Sequence, residues 1–382
     1  MKKILSILII ILVLSSCTSP KESFHKQKTD LGTIQDSNGD MVLLLNTNIV
    51  LTSVNDDLKD ELVNTATSKI SEYHKLLDSH HYYLDNSGNP IVNIKTLNDS
   101  IGKGPQHADP IIIDCLEKAI SLTKLTKGYF NISLGELSKQ YSDKLLPYDS
   151  TNTDPDKAII DNLVKGVLPY TDIDNYVIID KDNKTIELKE RDFPYSIDLG
   201  AFSKGYILDL VAKDLSKYNT SFLLNAGSSS IIAYTAEEEK DKVVWSIAIK
   251  DPNDTNGQLY MFTLQNGAIS SSGDYERYYF LDNGIRRHHI LNPYTGYSEN
   301  YLRSNTLISN NAGVIDALST ALFNIEDPLE QEEIINNINT FYKDEISYIL
   351  VKDDYNIEMT KSFKDILVEN YTSNKISNTK IR

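Results

Sequence analysis

Two polar runs carry most of the chemistry open to this chain. Ser270-Ser271-Ser272-Gly273-Asp274-Tyr275-Glu276-Arg277 is followed by His288-His289-Ile290-Leu291-Asn292-Pro293-Tyr294-Thr295-Gly296-Tyr297, so hydroxyls, carboxylates, guanidinium, imidazoles and a Pro-x-Thr-Gly turn fall within 28 residues. A tight turn at Asp282-Asn283-Gly284 would fold the two halves side by side as a strand pair. The resulting surface offers backbone donors, hydroxyl donors and an imidazole, which suit a phosphate-rich or heterocyclic ligand. His289 could serve there as a base or only as a ring donor, and a lone histidine is more often structural.

Three further segments could complete such a site. Ser196 to Asp209 reads as a strand ending at Leu199, a small-residue turn and a helix starting near Ser203. Glycine at 200 and 205 permits close backbone approach, helix-start amides suit phosphate, and Lys204 adds a point charge. The spacing is neither a mononucleotide nor a dinucleotide glycine fingerprint. Asn225-Ala226-Gly227-Ser228-Ser229-Ser230 follows a strand and makes a loop with free donors, or simply a surface turn. Asp316 and Thr320 stand four apart on a predicted helix and so share one face. One carboxylate and one hydroxyl suit a hard divalent cation that takes oxygen ligands, with phosphate, water or a backbone carbonyl completing the shell. The competing reading makes Asp316 a helix-start charge and Thr320 a back-bonded hydroxyl. No Cys or His spacing points to zinc, and no Gly-x-Ser-x-Gly elbow is present.

The elements that would position these residues form an α+β pattern, mainly antiparallel sheets with flanking helices. Strands are expected over 41–54, 176–180, 184–188, 221–225, 231–234, 243–249, 259–264, 278–281, 347–351 and 356–359. Helices are expected over 57–78, 110–127 (closed by Gly128), 135–141, 156–165, 206–215 and 315–323, with a surface excursion over 80–101 and a loop over 147–155. No composition break divides the chain, so one large domain over residues 40–365 is expected, followed by a polar tail over 366–382.

The N-terminus reads as an export signal. Lys2 and Lys3 precede an apolar stretch from Ile4 to Leu14, too short to span a bilayer permanently. It ends in Leu14-Ser15-Ser16-Cys17, which resembles the bacterial lipoprotein box. Residues 1–16 are then the signal peptide, Cys17 the lipidated residue and 17–39 a tether, and the expected location is the outer face of the cell membrane. More than one acyl chain at Cys17 would be needed for stable anchoring. The remaining cysteine, Cys115, lies among Ile111, Ile112, Ile113 and Leu116 and reads as a buried apolar residue. The net charge of -16 makes nucleic acid a poor partner and argues against lying flat on anionic lipid.

Taken in order, the motifs resemble the FAD:protein FMN transferases, the ApbE family, from about residue 40 to 360. The likeness is carried by Gly128-Tyr129-Phe130-Asn131, by Asp198-Leu199-Gly200 with Lys204-Gly205-Tyr206, and by Asn225-Ala226-Gly227. It continues through Ser271 to Arg277, His289 to Gly296 and Asp316 to Ala321. The resemblance implies that FAD is cleaved at its pyrophosphate with Mg²⁺, and that FMN is joined to a Thr or Ser hydroxyl of an exported flavoprotein carrying Asp-x-x-Ser/Thr-Gly-Ala-Ser/Thr. AMP would be released. It implies Mg²⁺ on the Ala201 carbonyl, Asp316 and Thr320, and FAD contacts at Tyr129, Phe130, Asn131, Asp198, Lys204 and Ile290. His289 would assist the acceptor hydroxyl. Departures stand at Asn131 and Asn292, where the family usually has Asp, at Ser228 in place of glycine, and at Leu45-Asn46-Thr47, where Met-Gly-Thr is common. An FAD pyrophosphatase and a non-catalytic FAD-binding lipoprotein remain as alternatives.

Overall fold

The computed structural model describes residues 27–142, 153–227, 229–368 and 379–382. The signal peptide, Cys17, the first part of the tether, Ser228 and most of the 147–155 loop lie outside the described residues. The spine is a nine-stranded sheet: β1 (Gln27–Asp30), β2 (Ile49–Ser53), β3 (Phe222–Ala226), β4 (Ser230–Tyr234), β5 (Gly267–Gly273), β6 (Leu302–Ser309), β7 (Ser347–Lys352), β8 (Ile357–Met359) and β9 (Thr379–Ile381). The strands lie side by side in chain order. Each neighbouring pair is antiparallel except β8 and β9, which are parallel. The α+β, mainly antiparallel expectation is met.

Long insertions hang from this meander. Between β2 and β3 run α1 (Lys59–Leu77), α2 (Pro110–Leu125), a three-stranded sheet made of Gln106–His107, Val177–Asp180 and Thr185–Leu188, and α3 (Ser203–Leu215). Between β6 and β7 lie α4 (Ala312–Phe323) and α5 (Pro328–Tyr342). A hairpin of Trp245–Asp251 and Asp254–Leu264 connects β4 to β5.

Side-chain alternation along the strands divides the core in two. Ile232, Ala268, Leu307 and Leu350 face the helices, and their neighbours Ile231, Ile269, Ile308 and Ile349 face the hairpin. Each fully buried side chain of this size contributes about 1.5–3 kcal/mol relative to exposure, so both faces of the sheet are strongly specified. α4 is the central helix, with nearly every residue buried. Its first amides are capped twice over. Asn311 Oδ1 accepts from Val314 N, and the Asp209 carboxylate, reaching across from α3, accepts from Ala312 N and Gly313 N at 2.9 Å each. Burial pushes the Asp209 carboxyl up to about 6, against the pull of those two amides.

Several expectations are corrected. The strand expected over 41–54 is two strands, Met41–Leu43 and β2, separated by Leu45 and Asn46, both left-handed. Two consecutive left-handed residues cannot continue a pleat. The 80–101 excursion holds a short helix, Ile94–Asn98, opened by a capping box between Asn93 and Thr96. Part of the tether is folded, since Gln27–Asp30 pairs with β2 and Thr33–Gln35 pairs with Met41–Leu43. The C-terminal tail likewise supplies β9. The helix α5 and the strands β5 and β6 were not anticipated.

Candidate functional site

The expected hairpin forms, but from residues between the two runs, with only His288 of the second run in it. Tyr278–Phe280 pairs with Arg286–His288, while Ser270 to Gly273 belong to β5 in the middle of the main sheet. The connection between them is pinned by Asp274, buried between Arg286 (2.9 Å) and Arg303 (2.7 Å). Desolvation pushes that carboxyl up and the two guanidiniums pull it down. Arg277 follows closely: the Asp198 carboxylate favours its charge, and that charge in turn disfavours one on His289.

At the centre is Asp316, on α4 and 5% exposed. Its Oδ2 accepts from Gly205 N at 3.1 Å, and its Oδ1 accepts from Ser230 Oγ and Ser270 Oγ at 3.3 Å each. Burial raises the carboxyl above its ordinary range, and the nearby Lys204 charge opposes that. The Gly205 contact caps the start of α3. Gly205 is the third residue of that helix, so its N–H has no acceptor within it; the Asp316 carboxylate takes it, and the first regular bond is Tyr206 N to Phe202 O. The Ala201 carbonyl, just ahead of the helix, accepts no main-chain hydrogen bond among the described residues. Thr320, one turn beyond Asp316 and half-buried, has no partner on its hydroxyl among them either. A carbonyl, a carboxylate and a hydroxyl are oxygen donors of the kind a hard cation takes. No group of three His, Cys, Asp or Glu side chains among the described residues could hold a metal.

Around this centre, Lys204 Nζ donates to the Gly200 carbonyl at 2.9 Å. Asp198 Oδ1 accepts from Gly200 N and its Oδ2 from Ser138 Oγ. The two neighbouring histidines differ. His288 is wholly buried and fully bonded, with Nε2 on the Glu299 carbonyl and Nδ1 accepting from Ile290 N; burial pushes it down to about 4. His289 has a buried Nδ1 without a partner among the described residues, and burial, with the nearby Arg277 and Lys204 charges, pushes its ring well below the ordinary histidine range.

The other expected residues divide by burial. The Tyr129 ring stands edge-on to Tyr294 at 5.2 Å, and its hydroxyl donates to Glu330. Phe130 is 2% exposed in the main core beside Phe202, so any part it plays goes through the turn it anchors. Ile290 is equally buried in that core. Asn131 accepts from Ser133 and donates its amide to the Leu168 carbonyl at 2.9 Å, a bond a carboxylate could not make. One residue without a motif signal ties the site together: the Asn324 amide, at the end of α4, reaches the carbonyls of Leu291 (3.2 Å), Thr320 (3.4 Å) and Tyr129 (3.5 Å).

Asn292 has an equally specific partner. Its amide donates to Glu299 Oε1 at 3.0 Å, and Thr295 Oγ1 donates to the same oxygen. Asn292→Asp would set two carboxylates against each other. The expected cost is about 1–3 kcal/mol at neutral pH, with recovery in the double variant carrying Glu299→Gln. Chemical denaturation checks this, and equal stability of the single variant and the parent would refute the pairing.

The chain matches the ApbE family model over residues 46–341. It is 28% identical over 235 residues to the FAD:protein FMN transferase of Klebsiella pneumoniae, covering 61% of this chain and 68% of that protein. It is 24% identical over 238 residues to that of Treponema pallidum, covering 60% and 64%. Among solved structures, the ApbE protein of Thermotoga maritima superposes with a TM-score of 0.71 at 22% identity, over 90% of this chain and all of that one. The flavin transferase ApbE of Vibrio cholerae gives 0.65 at 19%, with 90% and 100% covered. These structures share the fold.

Proposed function

The chain belongs to the ApbE family, and from that membership and the Asp316 site we propose that it is a flavin transferase that moves FMN from FAD to a Ser or Thr hydroxyl of an exported protein. The observation that carries this reading is the buried Asp316 carboxylate, which caps Gly205 N at the start of α3, four residues after Ala201. The Ala201 carbonyl, the Asp316 carboxylate and the Thr320 hydroxyl would hold Mg²⁺. Bound there, Mg²⁺ would neutralise charge on the pyrophosphate oxygens as phosphorus is transferred.

The chain's own residues do the rest. The Lys204 ammonium adds positive charge beside Asp316, and the Arg277 guanidinium does so near Asp198 and His289. The neutral Nε2 of His289 takes the proton of the acceptor hydroxyl as its oxygen bonds to the FMN phosphorus. The bond from that phosphorus to the AMP oxygen breaks, and AMP leaves. Because His289 stays unprotonated well below the ordinary histidine range, its base form is available throughout neutral pH. The acceptor is an exported flavoprotein with the Asp-x-x-Ser/Thr-Gly-Ala-Ser/Thr motif, met at the outer face of the membrane where a lipid on Cys17 would hold the enzyme. No described helix is long and apolar enough to cross a membrane.

The test is mass spectrometry of a motif-bearing acceptor incubated with the full-length protein, FAD and Mg²⁺, with an EDTA control. A metal-dependent gain of FMN less water supports the reading. FAD converted to FMN and AMP with no gain would make it a pyrophosphatase, and intact bound FAD would make it a carrier.

A further inference from the structure

The Asp316 carboxylate is gripped by hydroxyls from two different strands. Ser230 and Ser270 are direct partners across β4 and β5, so register alone puts both side chains on the helix face, close enough to straddle one carboxylate oxygen. Both are completely buried. Their protons can be assigned by following the network. Ser319 Oγ donates to the Asp316 main-chain carbonyl at 2.9 Å, so its oxygen is the acceptor for Ser272 Oγ, also at 2.9 Å. Ser270 lies 3.4 Å from Ser319, whose proton is committed, and its own proton goes to Asp316 Oδ1. Ser230 has no other hydroxyl partner among the described residues. With Gly205 N on Oδ2, both carboxylate oxygens are held, and by neutral groups that leave the negative charge intact.

We propose that Ser230 and Ser270 are positioning residues for a divalent cation at Asp316: they fix the orientation of the buried carboxylate and so set how tightly the cation is held. The proposal rests on the metal reading above. Partners that orient a metal ligand typically matter 10–100-fold in affinity.

The test is Mn²⁺ binding to the full-length, FAD-free protein, read by loss of the free Mn²⁺ electron paramagnetic resonance signal. Expected is a Kd raised about 10–100-fold in the Ser230→Ala/Ser270→Ala double variant, a smaller rise in each single variant, and near-parental affinity in Ser270→Thr, which keeps the hydroxyl. A purely structural role would lower the melting temperature and leave Kd unmoved. Equal or tighter Mn²⁺ binding by a folded double variant overturns the proposal. If the double variant does not fold, the single variants decide by the same criterion. A parent whose Mn²⁺ binding survives Asp316→Ala overturns the metal reading itself, and the serine proposal with it.

Discussion

Asp316→Ala is expected to lower flavin transfer by about 10³-fold or more, equivalent to about 4 kcal/mol of lost transition-state stabilisation, while leaving a folded protein. The two halves of this expectation have different causes. Activity falls because the carboxylate is the one charged donor in the set with the Ala201 carbonyl and the Thr320 hydroxyl. Stability holds because the carboxylate is expensive to bury: desolvation raises it, and among the described residues no direct ion pair offsets that. Its removal strands three neutral donors. The Gly205 N–H loses a helix cap, a cost of about 1 kcal/mol, while the Ser270 hydroxyl can turn to Ser319, already 3.4 Å away. Relief from the buried charge offsets these losses, so the melting temperature is expected to stay close to the parent's, as when a strained functional group is removed. Acceptor mass spectrometry and a thermal melt on the same preparation check both halves. Retained transfer in a folded variant would remove Asp316 from the reaction, and an unfolded variant would show that its role is structural.

What could be read in the sequence, and what could not, follows from how local each cause is. Asp316 and Thr320 could be paired from their spacing because helical periodicity is a local property. The helix starts at Pro110 and Ser203, and the stop at Gly128, were legible for the same reason. The contact between Asp316 and the start of α3 was not legible as such. It joins a glycine amide to a side chain 111 residues away, and only the family resemblance pointed to the Ala201 carbonyl. Ser270 stood inside a run marked as chemically active, yet its strand went unseen because serines lack the β-branched signature of strands. Its acceptor depends on the pairing with Ser230, a register fixed by the surrounding apolar residues. α5 was missed although Asp327-Pro328 is a regular start signal. Its buried set, Ile334, Ile335 and Ile338, is sparse among polar residues. β9 carries no local signal either, because all three residues are exposed. The departures at Asn131 and Asn292 became intelligible only through their partners, since each amide donates to an oxygen that a carboxylate would repel.

Gly205→Ala is expected to be the most damaging single change to the fold and the site together. A Cβ at this position would stand 2.3 Å from the Ala312 carbonyl oxygen, 2.5 Å from its carbon and 2.8 Å from Gly313 N. All three are backbone atoms at the start of α4, so no side chain can swing aside. Relief requires α3 and α4 to separate. That movement draws the Asp209 carboxylate away from Ala312 N and Gly313 N, and Gly205 N away from Asp316. Overpacking alone costs about 1–3 kcal/mol, and loosening the buried cap adds about 1 kcal/mol or more, so a total loss of several kcal/mol is expected. Gly284→Ala is the control. Nothing lies within 4 Å of a Cβ there, and its positive φ leaves only a backbone cost near 1 kcal/mol. Denaturant titration separates the two. If Gly205→Ala unfolds like Gly284→Ala, the close approach of the helices is not what holds Asp316 in place. If it is several-fold more destabilising and also loses Mn²⁺ binding, then one missing methyl group both packs the central helix and keeps Asp316 at the start of α3.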